Sequence, residues 1–443
     1  MIENDDKNFD KNKHILMKFT KYLSLLAFLT AMSFNGQAQV DTLSLKHKIS
    51  VEQYLSRVGK ENLGYAAEQY NVNIAEAGIE TAKIFPDPEF SAGAFDNQQA
   101  KLKLGQGLTF GLGTTLELGG KRKARISLAK SETELSKALL LDYLRNLRAD
   151  AALAYYSAIQ QRELMKVQQY AFQMMKQLAD ADSVRYKLGA ITETDARQSK
   201  LEAGNLQNSV YQNEADWKNS LIKLSAFLGK KSVDSLVIPE GNFENLERDI
   251  NYQTLISNAQ NIRADAVAAL NSKTVAEKSL ALVKANRRID LGINAGLQYN
   301  GVSTNEVAPT PYHRTFNAGF SVPLKFSNHY KGDLKAAQFT IKQAGVQYDQ
   351  VLQQIQVEVT QAYFNYTAAG KQVRQYKNGL LTEGKKILTA KVYSYKRGET
   401  SLLEVLNAQR TYNEVQQGFY ESQSNYAAAL IELERAAGIW DLK

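Results

Sequence analysis

Between residues 104 and 118 apolar side chains recur on a period of two: Leu104, Leu108, Phe110, Leu112, Leu116 and Leu118 fall on one face, Gly105, Gly107, Thr109, Gly111, Gly113, Thr115 and Glu117 on the other. That period is the signature of a strand with a single apolar face. A weaker alternation at Phe90, Ala92 and Ala94 precedes it across the polar loop Asn97 to Lys103, which predicts a hairpin with strands at about 88–97 and 104–118. The pattern returns in the second half. Leu291, Ile293, Ala295, Leu297 and Tyr299 mark a strand at about 290–300, and Phe316, Ala318, Phe320, Val322 and Leu324 one at about 314–324, with a two-proline loop between. Strands of about ten residues with one apolar face have the length and pattern of membrane-crossing β-strands.

The helical period governs the rest. Residues 50–84 predict a helix with Ser50 as N-cap, stopped at Phe85-Pro86-Asp87-Pro88, and 252–285 predict an alanine-rich counterpart. From Lys121 to Lys187 there is neither proline nor glycine. A helix of that extent is roughly 100 Å long at about 1.5 Å per residue, more than the diameter of a compact domain. Along it Leu140, Leu144, Leu147, Ala151, Ala154 and Ala158 step by four and three, a heptad-like seam. Thr192 to Leu228 returns as a second helix. Lys331 to Arg397 predicts another long helix, loosened by Gly332, Gly345, Gly370, Gly379 and Gly384, and Thr400 to Ala437 returns from it.

The two halves are copies. Tyr186-Lys187-Leu188-Gly189 with Thr192 and Asp195 aligns without a gap on Tyr395-Lys396-Arg397-Gly398 with Ser401 and Glu404, since 398 and 189, 401 and 192, and 404 and 195 each differ by 209. Glycine suits a left-handed helix end, and Thr/Ser-x-x-Asp/Glu is a capping box. Both segments are therefore tips of helical hairpins. The chain divides into a first repeat at 39–229, an irregular linker at 230–250 around Pro239-Glu240-Gly241, a second repeat at 251–438 and a tail at 439–443.

Composition narrows the function. The chain of 443 residues has no cysteine, which excludes disulfides, thiolate metal sites and cysteine nucleophiles. A net charge of +8 spread over that length does not point to nucleic acid. Lys18 and Lys21, the apolar run Leu23 to Phe34 and Gly36-Gln37-Ala38 have the layout of a secretory signal over 1–38, with Met17 an alternative start after an upstream extension. Beyond the expected signal segment the histidines His47, His313 and His329 show no ligand spacing, so neither a resident metal nor a cofactor is expected. No nucleophile, phosphate loop or acid–base motif points to an enzyme: the glycines at 105, 107, 111 and 113 share one face of a strand and do not bridge strand to helix.

A bilayer does not tolerate open sheet edges, because unpaired amides would meet hydrocarbon. Four strands cannot close a roomy barrel, whereas three chains pooling theirs would give about twelve strands around an open lumen. The fold expected is mainly α with transmembrane β: long hairpins forming an α-barrel beneath a shared β-barrel in a homotrimer. The alternative is an envelope structural or adhesive coiled-coil protein without a channel, which has no use for amphipathic strands. The basic residues Lys121, Arg122, Lys123 and Arg125, with Arg287 and Arg288, would ring the barrel rim, either as a solvated collar or against outer-membrane lipid headgroups.

Over essentially its whole mature length the chain resembles the outer membrane efflux proteins of the TolC family, in its duplicated halves, two strands per half and Tyr-x-x-Gly tips. The strongest local match runs from Tyr395 through Glu404-Val405-Leu406-Asn407-Ala408. Phe85-Pro86-Asp87-Pro88 and Glu117-Leu118-Gly119-Gly120-Lys121-Arg122 are similar to the heavy-metal, cobalt-zinc-cadmium branch. The resemblance implies a trimeric outer-membrane exit duct that docks through Gly189, Thr192, Gly398 and Ser401 onto a periplasmic adaptor and an inner-membrane pump of the resistance-nodulation-division type. It places Asp195 and Glu404 near the periplasmic constriction, where a capping role competes with a gating one. Tyr186 and Tyr395 are either gate contacts or interhelix packing, and Asn407 departs from the family's second acid.

Overall fold

The computed structural model describes residues 47–98, 103–229, 236–324 and 330–440; the expected signal segment, His329 and the last three residues of the tail lie outside these. The chain runs β1 (His47–Ile49), α1 (Val51–Glu61), α2 (Leu63–Lys83), β2 (Glu89–Asp96), β3 (Gln106–Leu116), α3 (Lys121–Lys187), α4 (Glu193–Phe227) and β4 (Val237–Pro239). The second half follows with α5 (Tyr252–Ile262), α6 (Ala264–Asn286), β5 (Leu291–Asn300), β6 (His313–Ser321), α7 (Lys331–Gln375), a π-turn (Tyr376–Leu380), α8 (Leu381–Lys396) and α9 (Leu402–Ala437).

Helix α3 is continuous for 67 residues and is the spine of the molecule. It packs on α2, α4, α6 and α9. Near its middle Leu147, Ala151, Tyr155, Ala158 and Ile159 enter the main core with Tyr54, Leu224, Ile355, Val359, Leu430 and Ile431. Alanine lets the backbones approach, while tyrosine spans to the linker: the Tyr155 hydroxyl lies 2.8 Å from the Ile49 carbonyl and 2.7 Å from that of Glu240. This anchors the parallel β1–β4 ribbon around the waist.

Two helices expected as continuous are broken. The first stops at Asn62, whose side chain caps α2 by accepting from the Tyr65 N–H and donates to the Phe227 carbonyl. The second stops at Arg263, held by neighbouring Asp265 and by two partners from elsewhere in the fold, Glu358 and the Ala436 carbonyl. Local propensity favours continuation at both places, and long-range hydrogen bonds override it. In the second repeat the glycine-containing stretch does not break the helix but relaxes into the π-turn, which includes Gly379. Tyr376 lies against Gly418 of α9, where an added Cβ would sit 2.4 Å from its hydroxyl.

Strands β2, β3, β5 and β6 form one antiparallel sheet in that order. Register aligns the alternation across it: Ala92, Phe110, Leu297 and Phe316 make one apolar row and Phe90, Leu112, Ala295 and Ala318 the next, while Ser91, Gly111, Gly296 and Asn317 line up on the reverse face. Strand β6 ends at Ser321, two residues before Pro323, which lacks an N–H for the ladder. Gly119 and Gly120, both left-handed at φ +74° and +76°, turn β3 into α3, and the Arg288 side chain fills the space where a Cβ on Gly119 would stand. Among the described residues no helix is long and apolar enough to cross a membrane.

Candidate functional site

The two tips are built alike. Gly189 and Gly398 have φ of +73° and +79°, and the N–H groups of Ala190 and Glu399 reach back five residues to the carbonyls of Arg185 and Ser394 at 2.8 and 3.0 Å, the Schellman closure. Thr192 and Ser401 then cap the returning helices by accepting from the N–H groups of Asp195 and Glu404. The capping box is only half formed at both. Asp195 takes the Thr192 hydroxyl, and Glu404 pairs with Lys391 across the hairpin. Asn407 lies exposed one turn further along α9.

The copies diverge where the hairpins meet. Tyr186 is 43% exposed, whereas its counterpart Tyr395 is 4% exposed and packs among Met175, Leu178, Leu402, Val405 and Leu406. The Tyr395 hydroxyl donates at 3.0 Å to Asp182, whose side chain is fully buried on α3. Arg185 completes the node, its guanidinium 4.8 Å above the Tyr395 ring and 3.5 Å from the Asp182 carboxylate. Burial pushes the Asp182 carboxyl above its usual range, against the lowering pull of Tyr395, Ser199 and Arg185. Burial and the neighbouring Asp182 push the Tyr395 phenol up to about 12. The node ties the first repeat's outgoing helix to the second repeat's tip, and a cavity of about 190 Å³ lies beside it.

Sequence reasoning singled out Tyr395 but missed Asp182, Arg185 and Lys391. One signal was present: positions 182 and 391 also differ by 209, so the duplication sets an acid against a base about two turns before the tip glycines. Replacing Tyr395 by Phe leaves a buried carboxylate short of one partner, a loss of about 1–3 kcal/mol at this contact. Hydrogen–deuterium exchange of α8 amides is expected to accelerate about tenfold or more, since about 1.4 kcal/mol is one decade; unchanged exchange would remove the node's role as a latch.

At the opposite end the basic cluster turns largely inward. Lys121 is buried and bonded to Asp290 at 2.5 Å. Arg125 grips Glu117 with two nitrogens at 2.7 and 3.1 Å and reaches the Ala82 and Ile84 carbonyls, while Arg122 binds the Lys83 carbonyl and covers the Phe85 ring. These bonds lock strand ends to helix ends. Arg288 lies along Gly119, Arg287 is half-buried at the end of α6, and Lys123 projects outward.

Residues 252–439 match the outer membrane efflux protein family. The chain is 23% identical over 417 residues to the cobalt-zinc-cadmium resistance protein CzcC of Cupriavidus metallidurans, covering 93% of this chain and 94% of that protein. Its fold superimposes on the Campylobacter jejuni CmeC outer membrane channel with a TM-score of 0.73 at 16% identity, covering 88% and 85% of the two chains. The corresponding values for CusC are 0.72 and 15%, with coverage of 90% and 96%.

Proposed function

We propose that the chain is an outer membrane efflux protein, three copies of which form the exit duct of a tripartite efflux system, conducting cargo passively from a periplasmic adaptor and an inner-membrane pump to the exterior. The observation that carries this reading is the sheet: one face mainly apolar, the other mainly small and polar, with β2 and β6 as its two edge strands. Such edges are viable in a bilayer only when neighbouring copies close them. The hairpins leave from the same end of the sheet and carry the tips roughly 100 Å into the periplasm.

Gly189, Thr192, Gly398 and Ser401 are the adaptor-docking elements in this reading, and the Asp182–Tyr395 node holds the aperture closed. The pump is of the resistance-nodulation-division type. The name of the Cupriavidus metallidurans relative supports cobalt, zinc and cadmium cations as cargo. Lys123 at the rim is placed to meet lipid phosphates.

Purification from outer membranes tests the assembly: a heat-modifiable trimer is expected, and a monomer without heat modifiability would overturn it. The tips have their own test. A Cβ at Gly189 or Gly398 meets nothing within 4 Å, so Gly189→Val with Gly398→Val acts through the left-handed backbone alone, at about 1–2 kcal/mol per residue. The expected result is a trimer still inserted in the membrane with adaptor capture and efflux abolished; undiminished efflux would rule out docking through the tips.

A further inference from the structure

In the second hairpin the charge at the aperture is compensated within the chain. Lys391 on α8 and Glu404 in the first turn of α9 form an ion pair across the hairpin, and both side chains stay accessible at 43% and 49%. The pair therefore sits on a wettable face and not in the packed seam. Lys391 holds the Glu404 carboxyl below its usual range, and the two opposite charges cancel in place. Along the same face of α9 the next exposed positions are Asn407, which is neutral, and Arg410, which is cationic. Between Glu383 and Glu414 six Lys and Arg residues outnumber four glutamates.

In the first hairpin the positions matching Lys391 and Glu404 hold two acids, and neither stands fully exposed. Asp182, which occupies the position matching Lys391, is buried against Tyr395 and Arg185, and Asp195 is half-buried and takes the Thr192 hydroxyl. A pore ring selects ions by the sign of its uncompensated charge. We propose that Lys391 is a specificity-determining residue of the duct: by cancelling Glu404 it leaves the periplasmic aperture without preference for cations over anions. This rests on the reading that the tips form the aperture. Cargo selection then lies with the partners that load the duct, and a metal cation would pass because it is delivered, with no attraction at the mouth.

The test is the reversal potential of the purified trimer in planar bilayers under a potassium chloride gradient, in the native chain and in a Tyr395→Phe background that loosens the closed state. A potassium-to-chloride permeability ratio within about threefold of unity is expected. Lys391→Met uncovers Glu404 and is expected to raise the ratio several-fold, whereas Glu404→Gln uncovers Lys391 and is expected to lower it below unity. Loss of a packing or capping contact would not move the two variants in opposite directions. A strongly cation-selective native channel, or a Lys391→Met channel indistinguishable from it, would overturn the proposal. An inserted trimer that passes no ions in either background would instead overturn the duct reading itself.

Discussion

Arg263→Ala is expected to destabilise the chain by about 3–5 kcal/mol, the cost of stranding the partners of a buried charge. The side chain is 2% exposed and makes a forked pair with Asp265 at 3.0 and 2.6 Å, an ion pair with Glu358 at 2.7 Å and a bond to the Ala436 carbonyl at 2.9 Å. It thus joins α5 and α6 to α7 and to the end of α9. Burial by itself would lower the guanidinium's proton affinity, but Asp265 and Glu358 outweigh it and raise it. Burial likewise pushes Asp265 up, and Arg263 overcomes that to hold it below its usual 3.8. A depressed carboxyl contributes fully above the unfolded value and loses its contribution as pH falls through the folded one. The native chain should therefore lose this increment only at strongly acid pH, and the alanine variant should lack it throughout. Urea midpoints followed by circular dichroism in detergent measure both effects. Arg263→Lys, with one charge but no fork, should fall between; a native-like midpoint for the alanine variant would refute the assignment.

Leu112→Arg is the second large effect. Leu112 lies near the middle of β3, 58% exposed on the apolar face between Phe90 and Ala295. An arginine at the bilayer midplane of a barrel costs about 2–4 kcal/mol, and each copy in a trimer bears it. The variant should fail to accumulate in outer membranes. Thr109→Arg, on the reverse face of the same strand, should insert normally while obstructing the lumen. Equal insertion of both would mean that the apolar face does not meet lipid.

How much of this was legible in the sequence depended on whether the cause was local. The strands were readable because a period of two is imposed by the pleat itself, and the tips because glycine and the N-cap hydroxyls act within a few residues. The breaks at Asn62 and Arg263 were not readable, since an alanine-rich context favours helix and the deciding bonds reach Phe227, Glu358 and Ala436. Asp182 was hidden for a similar reason. On a mostly polar helix it reads as one more solvated charge, and only the docking of Tyr395 from a segment 213 positions away buries it. The cations at 121–125 are visible in the sequence as a cluster, yet the pairing of Lys121 with Asp290 is not, because the two lie 169 positions apart.

The π-turn sets the phase of the second hairpin. Upstream of it the buried residues of α7, Ile355, Val359, Ala362, Tyr366, Ala369 and Val373, keep a strict four–three rhythm. Downstream the buried residues of α8 are Leu388 and Tyr395, and Leu388 follows Val373 by 15 residues, one more than the 14 of two heptads. The extra residue is absorbed at Tyr376–Leu380. Had the rhythm run on unbroken, Ser394 would occupy the inward position, and the phenol that reaches Asp182 would point elsewhere. The contact between Tyr395 and Asp182 is thus a matter of timing along the helix, set some four turns before the residue that makes it.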